Sequence, residues 1–344
     1  MSRPLRIGVI GAGGNTRTKH IPGFQAIPGV EVVAVCNRTR ESAQRVASEF
    51  AIKRVATEAR EIIESTDIDA VCIGTWPNRH AELSIAALAA GKHVLTEARM
   101  ARNLAEAQAM FAAAQRQPHL VAQIVPSPLS LAFDATVMDL LASGALGALR
   151  EIHLTCTNAA AAQAHTPMNF RFDYERSGKN CMFMGIYYEI ALRWLGRQPQ
   201  WVQADAAIFT PQRRDEVGAL KPVLVPESLT IAGRYADGAR LLGWFSGVET
   251  SAPCSEIRVN GSKAGLRLDL AKQELWLSPV GAAERPVAVA PVRPGAWRVE
   301  VDFIDSIRAG KPVTLTSFAT GVDYMRFTEA VWASWNCAGA RMPL

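Results

Sequence analysis

The chain has 344 residues, of which 49% are hydrophobic and 20% charged, and its 37 Lys and Arg outweigh 32 Asp and Glu to give a net charge of +5. That length is too great for one ordinary core and comfortable for two domains, and the composition is that of a soluble globular enzyme. The charge is spread rather than gathered in a block, no apolar run is long enough for a bilayer, and the six cysteines (36, 72, 156, 181, 254 and 337) form no CxxC pair. Nucleic-acid and membrane partners, a metal site and a disulfide framework are therefore not expected. Scattered cysteines and an N-terminus without the apolar stretch of a signal peptide fit a reducing cytoplasm.

The first predicted strand, Leu5–Ile10, runs into a glycine turn at Gly11, Gly13 and Gly14, and helix-compatible sequence follows from Thr16 to Ala26. A buried parallel strand that breaks into glycines and then a helix is a dinucleotide-binding geometry. Glycine lets the backbone approach a pyrophosphate, and a helix start offers free N–H groups. Asn15 belongs to the same turn, and Thr16 stands where the fingerprint expects its third Gly or Ala. Further strands are predicted at Glu31–Cys36, Arg54–Ala56, Ala70–Ile73, His93–Thr96 and Leu120–Ile124, with helices at Glu41–Phe50, Thr57–Glu64, Arg79–Ala90 and Asn103–Gln115. Such alternation predicts a parallel sheet with helices on both faces. The two prolines of Val125–Pro128 mark a junction, so residues 1–124 are expected to be an α/β Rossmann domain and residues 125–344 a second domain.

Beyond the junction, a helix at Leu131–Ala142, a strand at Glu151–Thr157, a long loop at Asn158–Lys179 and a helix at Met182–Leu195 precede a run of strands from Trp201 onward. Asp237-Gly238 and Asn260-Gly261 are read as hairpin turns, because both pairs supply positive φ. Helices at Trp297–Ala309 and Ala319–Cys337 close the chain. The second domain is thus expected to be α+β with a mostly antiparallel sheet.

Ligands of open α/β sheets bind beyond the carboxyl ends of the strands. After the second strand stand Asn37, Arg38, Thr39 and Arg40. An acid at position 37 would take the ribose hydroxyls of NAD. A neutral Asn37 beside two guanidinium groups favours the 2′-phosphate of NADP, unless Arg38 and Arg40 are merely solvated. The fourth strand is followed by Thr75, Trp76, Pro77 and His80. Trp76 and Pro77 suit packing against a nicotinamide, and His80 suits a cap or a packing residue at the helix start. Glu97 and Arg99 follow the fifth strand, again at the crevice.

Taken together, the segments Ile7–Gly14, Asn37–Thr39, Asp69–Met100, Ala142–Ile152, Met184–Gly196 and Val301–Val313 resemble the Gfo/Idh/MocA family of glucose–fructose oxidoreductase, inositol dehydrogenase and rhizopine-catabolism proteins, over nearly the whole chain. The resemblance implies an N-terminal Rossmann domain and a C-terminal domain with an open, mostly antiparallel sheet. That sheet often forms oligomer contacts, here of a homodimer or homotetramer. The implied activity is hydride transfer between NAD(P) and a hydroxyl or carbonyl of a sugar-, cyclitol- or polyol-like substrate.

Two departures bear on mechanism. The family's Glu-Lys-Pro after the fifth strand is here Glu97, Ala98 and Arg99, so its lysine is gone. Its Asp-x-x-x-His pair entering the second-domain helix becomes Phe183 and Tyr187. Tyr187 is expected in the substrate pocket as the acid–base group, with Arg99 supplying the positive field that a group of pKa about 10 needs. His165, Asp173 or Lys179 from the loop is an alternative. Arg171, Asp173 and Tyr188 are candidate substrate contacts, although the tyrosines also fit a core stripe and Arg171 with Asp173 a surface ion pair. A lyase with tightly bound NAD(P) and a non-catalytic cofactor-binding regulator are the rival readings.

Overall fold

The structure is a computed structural model that describes residues 3–289 and 297–344. The chain folds as two compact units, Met1–Pro126 with Arg298–Val322, and Ser127–Trp297 with Asp323–Leu344.

The first unit carries six parallel strands, β1 (Leu5–Ile10), β2 (Val30–Cys36), β3 (Arg54–Ala56), β4 (Ala70–Ile73), β5 (His93–Thr96) and β6 (Ala122–Ile124), in the order β3-β2-β1-β4-β5-β6. The central strands are apolar on both faces: Ile7, Val9, Ala70, Val71 and Ile73 are fully buried, as a parallel strand covered on both sides requires. Burying each Val or Ile contributes about 1.5–3 kcal/mol. The strand order reverses between β1 and β4, so the ligand-binding switch point lies at their carboxyl ends. Connecting helices run over Arg40–Glu49, Ala59–Ile63, Pro77–Ala89 and Leu104–Gln115. Their starts are marked by local chemistry: Thr39 and Asn103 accept from the N–H groups of Ser42 and Glu106, and Glu58 with Glu61 makes a capping box.

The predicted helix after the glycine turn differs in form. Thr16–His20 is a π-helical turn, and the α-helix proper is Ile21–Gln25. Pro22 has no N–H to return to the preceding turn, and His20, at the end of the wider turn, is fully buried. The helix Val299–Ala309 belongs to this unit and sets Phe303 edge-on to Phe24, ring centroids 6.2 Å apart.

The second unit is built on β7 (Leu149–Thr157), β8 (Trp201–Ala207), β9 (Gln212–Arg214), β10 (Leu220–Pro222), β11 (Ser228–Arg234), β12 (Arg240–Ser246), β13 (Cys254–Gly261), β14 (Ala264–Asp269), β15 (Glu274–Pro279), β16 (Arg285–Pro286) and β17 (Met342–Pro343). Nine of these form a sheet in the order β16-β15-β14-β13-β7-β12-β11-β8-β17, and β9 with β10 makes a separate hairpin. Only β12 and β7 pair in parallel among the described strands of this sheet. Asp237-Gly238 makes the expected hairpin turn, with Gly238 at φ +86°. Asn260-Gly261 marks the β13–β14 hairpin but does not supply its turn residues. Both residues lie in β13, and the chain turns after them, ahead of β14. Gly261 is required for another reason, since a Cβ there would run into the Leu146 carbonyl.

The helix Met184–Leu195 covers one face of this sheet, with Tyr187 edge-on to Phe245 of β12, centroids 5.7 Å apart. It ends at Gly196 in the left-handed conformation. A short helix, Tyr174–Ser177, interrupts what the sequence reads as one long loop.

Candidate active site

In the first unit, the turns after β1, β2 and β4 converge. The Gly11 N–H donates to the Cys36 carbonyl at 2.8 Å, and Gly11 sits at φ +87°, where a Cβ would come 2.7 Å from the Thr75 nitrogen. Glycine is compulsory there on both counts. Thr16, in place of the third glycine, is 1% exposed, and it is accommodated because Gly74 opposite has no Cβ to strike its hydroxyl. Gly13 and Gly14 are different. A Cβ at Gly14 would meet no protein atom within 4 Å, and one at Gly13 only the Gly74 carbonyl oxygen at 3.8 Å. The protein's own packing does not demand these two glycines, whereas close approach of a pyrophosphate to the turn does. The turn therefore fits a dinucleotide.

Asn37 Oδ1 accepts from the Ala12 N–H at 2.7 Å, and its Nδ2 donates to Ser42 Oγ at 2.9 Å, so Asn37 holds the glycine turn to β2. Arg38, Thr39 and Arg40 are exposed beside it. The Arg38 guanidinium lies over the Trp76 ring at 5.6 Å. Pro77 opens the helix Pro77–Ala89. His80 is fully buried, with Nδ1 2.9 Å from the Arg99 carbonyl and Nε2 3.0 Å from the Thr75 carbonyl. Burial pushes its pKa down, and a neutral ring donates to one of those carbonyls at a time. His80 thus ties the turn after β4 to the turn after β5 through backbone, the packing role open to a histidine at a helix start. The Ala98–Arg99 peptide is cis and Arg99 is 2% exposed.

Glu97 is the best-supported side chain of the set. Its Oε1 accepts from His20 Nε2 at 3.0 Å and from Asn15 Nδ2, and its Oε2 faces the Ala98 N–H at 3.2 Å. His20 in turn places Nδ1 2.5 Å from Glu300 Oε1. Gly23 makes room for that carboxylate, since a Cβ there would lie 2.7 Å from Glu300 Oε2. Burial alone would lower the His20 pKa, but the hydrogen bonds to Glu300 and Glu97 and their charges raise it to about 9. Burial alone would raise Glu97, but His20 and Asn15 hold it below the usual carboxylate range. At neutral pH His20 is thus held as an imidazolium between Glu97 and Glu300.

In the second unit, Tyr187 is 1% exposed and its Oη lies 2.7 Å from Ser255 Oγ on β13. Burial, with Cys156 close by, pushes its pKa up, so the phenol stays protonated at neutral pH, and the lowering expected from a neighbouring cation is not found. Tyr188 is a core residue, fully buried and stacked on Phe327. Lys179 pairs with Glu329. Asp173 caps the helix Tyr174–Ser177 and pairs with Arg176 at 3.2 Å, so the surface pair with Arg171 is not formed. His165 is exposed. Arg171 lies over Phe170 and Phe183, its Cζ 4.5 and 4.8 Å from the ring centroids.

Residues 5–124 match the Gfo/Idh/MocA oxidoreductase family, NAD-binding Rossmann fold, and residues 135–267 match the Gfo/Idh/MocA C-terminal domain. The chain belongs to this family. It is 38% identical over 111 residues to the 4-carboxy-2-hydroxymuconate-6-semialdehyde dehydrogenase of Sphingobium sp. (strain NBRC 103272 / SYK-6), covering 32% of this chain and 35% of that one. It is 31% identical over 193 residues to the dTDP-3,4-didehydro-2,6-dideoxy-alpha-D-glucose 3-reductase of Saccharopolyspora spinosa, covering 56% of each. These alignments span about a third and about half of the two relatives. Levoglucosan dehydrogenase in complex with NADH and L-sorbose shares the fold, with TM-score 0.88 over 98% of each chain at 21% identity.

Within the Gfo/Idh/MocA pattern, this member keeps the glutamate of Glu-Lys-Pro as Glu97, and with it a support that sequence reasoning missed. His20 and Glu300 are 280 residues apart, and no local spacing joins them. Ser255, the partner of Tyr187, lies in an ordinary strand and carries no signal of its own.

Proposed function

We propose that this Gfo/Idh/MocA member is an NAD(P)-dependent oxidoreductase that moves hydride to or from a hydroxyl or carbonyl of a sugar-, cyclitol- or polyol-like substrate. The observation that carries the reading is the turn at Gly13 and Gly14, where glycine serves an approaching ligand rather than the protein's own packing. The sugar-processing names of relatives support the substrate class. Gly11, Gly13, Gly14, Asn15 and Thr16 would hold the pyrophosphate. Arg38 and Thr39, beside a neutral Asn37 whose carbonyl is already engaged, favour NADP over NAD. Thr75, Trp76, Pro77 and Glu97 would serve the nicotinamide end. When bound, the cofactor supplies or accepts the hydride. Tyr187 holds the proton at Oη and gives it to the reacting oxygen in the reducing direction, and Ser255 Oγ stands next in line to return it. In the first unit, Arg99 is the cation we assign to stabilising negative charge during the reaction. A cytoplasmic homodimer or homotetramer is part of the reading; Trp244, 44% exposed on the sheet face opposite Phe245, is the contact we assign to it.

The test is a fluorescence titration with NADPH and NADH, followed by turnover on a polyol panel. NADPH binds more tightly, Arg38→Ala removes the difference, and Tyr187→Phe binds cofactor normally while losing about a hundredfold or more in turnover. Failure to bind either nucleotide, or full activity of Tyr187→Phe, would overturn it. Cofactor retained through purification, with no net absorbance change during turnover, would instead favour the lyase.

A further inference from the structure

Most buried or half-buried cations of the second unit have their counter-ion inside it. Arg213 is fully buried and donates to Glu227 Oε1 at 2.6 Å, Arg193 meets Asp134 and Glu189, and Lys179 meets Glu329. Arg171 does not follow this rule. Among the described residues, no carboxylate or carbonyl accepts a hydrogen bond from its guanidinium; its recorded partners are the Phe170 and Phe183 rings, and its backbone N–H goes to Asn169 Oδ1 at 2.9 Å. Burial is what lowers its pKa, with no acid acting against it.

The cation is held in place rather than trailing in solvent. Asn169 fixes the turn, its side chain taking the Arg171 N–H and its carbonyl the N–H groups of Phe172 and Asp173 at 3.1 and 3.2 Å. Upstream, Arg213 pins the loop by donating to the carbonyls of Ala161, Gln163 and Thr166 at 2.8–3.0 Å, and lies over Phe172 at 5.0 Å. Ala161, Met168, Phe172 and Val223 pack as a small core beneath it. A guanidinium stacked on rings keeps its N–H donors along its edge, the geometry that takes a carboxylate through two parallel hydrogen bonds. Stacking offsets part of the desolvation of the cation, and an anion from outside would supply the rest. Phe183 supports the cation with its ring and brings no charge to it.

We propose that Arg171 is the anchor for a carboxylate on the substrate, which makes the substrate a sugar acid or related hydroxy acid rather than a neutral polyol. This rests on the dehydrogenase reading above and narrows its substrate class. The test uses the full chain saturated with NADPH. Binding of D-glucuronate and D-galacturonate is compared with binding of D-glucose and D-galactose, and D-glucose 6-phosphate separates a carboxylate from a phosphate preference. In the wild type, at least one uronate binds tenfold or more tightly than its neutral partner. Arg171→Gln abolishes that preference, Arg171→Lys keeps part of it, and the NADPH affinity of both variants is unchanged. A wild type that distinguishes no pair, a preference confined to the phosphate, or an Arg171→Gln protein that still prefers the uronates overturns the proposal. Failure of the wild type to bind NADPH or NADH in the preceding titration overturns the dehydrogenase reading instead.

Discussion

Replacing His20 by alanine removes the ring that both Glu97 and Glu300 hold, and leaves two carboxylates, 16% and 3% exposed, close together inside the first unit. Two routes give the magnitude. Breaking a buried ion pair by removing one partner costs about 3–5 kcal/mol, because a charge is left uncompensated. Independently, the ring's pKa rises from an ordinary 6.5 to about 9, a difference of about 2.5 units, which at 1.36 kcal/mol per unit is about 3 kcal/mol of preference for the folded state. The sign follows from the direction. A raised pKa means the contribution is fully present below pH 6.5 and is lost as pH climbs through 9. Glu97, held low, contributes above its ordinary range, and that part is lost as pH falls through its folded-state value. Other titratable groups facing the cluster are Cys72 on β4, whose thiol burial keeps protonated, and His80, which burial keeps neutral. Urea unfolding followed by circular dichroism at pH 6, 7.5 and 9.5 is the assay. The wild type weakens by about 2 kcal/mol between pH 7.5 and 9.5, His20→Ala is about 3 kcal/mol less stable at pH 7 and loses the alkaline dependence, and adding Glu300→Gln to it restores part of the loss. A wild type whose stability is flat from pH 7 to 10, or a His20→Ala protein within about 1 kcal/mol of it, would refute the charged-cluster account.

The glycine turn separates folding from binding. Gly11→Ala meets both a φ of +87° and the Thr75 nitrogen, so it loses about 2 kcal/mol or more of stability by thermal melting. Gly14→Ala meets no protein atom, so it melts like the wild type while its NADPH dissociation constant rises at least tenfold in the fluorescence titration. Glu227→Gln leaves the Arg213 charge buried and unpaired, which costs about 3–5 kcal/mol in urea. Because Arg213 also pins the loop bearing Arg171, KM for substrate should rise with cofactor affinity unchanged; an unchanged KM would detach the loop from substrate binding.

What could be read in the sequence follows how local each signal is. The ends of β3, β4 and β5 fall where the sequence analysis expects them, because buried parallel strands are short apolar runs and Thr39, Glu58 and Asn103 announce the helices that follow. Asn260-Gly261 locates its hairpin but not the turn residues, for a related reason. The dipeptide carries the positive-φ signal of a turn, but the demand on Gly261 comes from Leu146, over a hundred residues away, and no local rule contains that contact. The same limit governed the site. Gly11 is legible because an apolar strand running into glycines and then a helix is a local pattern, even though the atoms that make it compulsory, at Cys36 and Thr75, are remote, whereas no local pattern joins His20 to Glu300 at the far end of the chain. Arg171 shows the limit most clearly. As a residue in an aperiodic loop it reads equally as a substrate contact or as half of a surface pair with Asp173. Folding gives Asp173 to Arg176 and sets Arg171 on two phenylalanine rings. A charge that the fold positions and does not neutralise is information about the ligand, and it exists only once the other charges of the unit have found their partners.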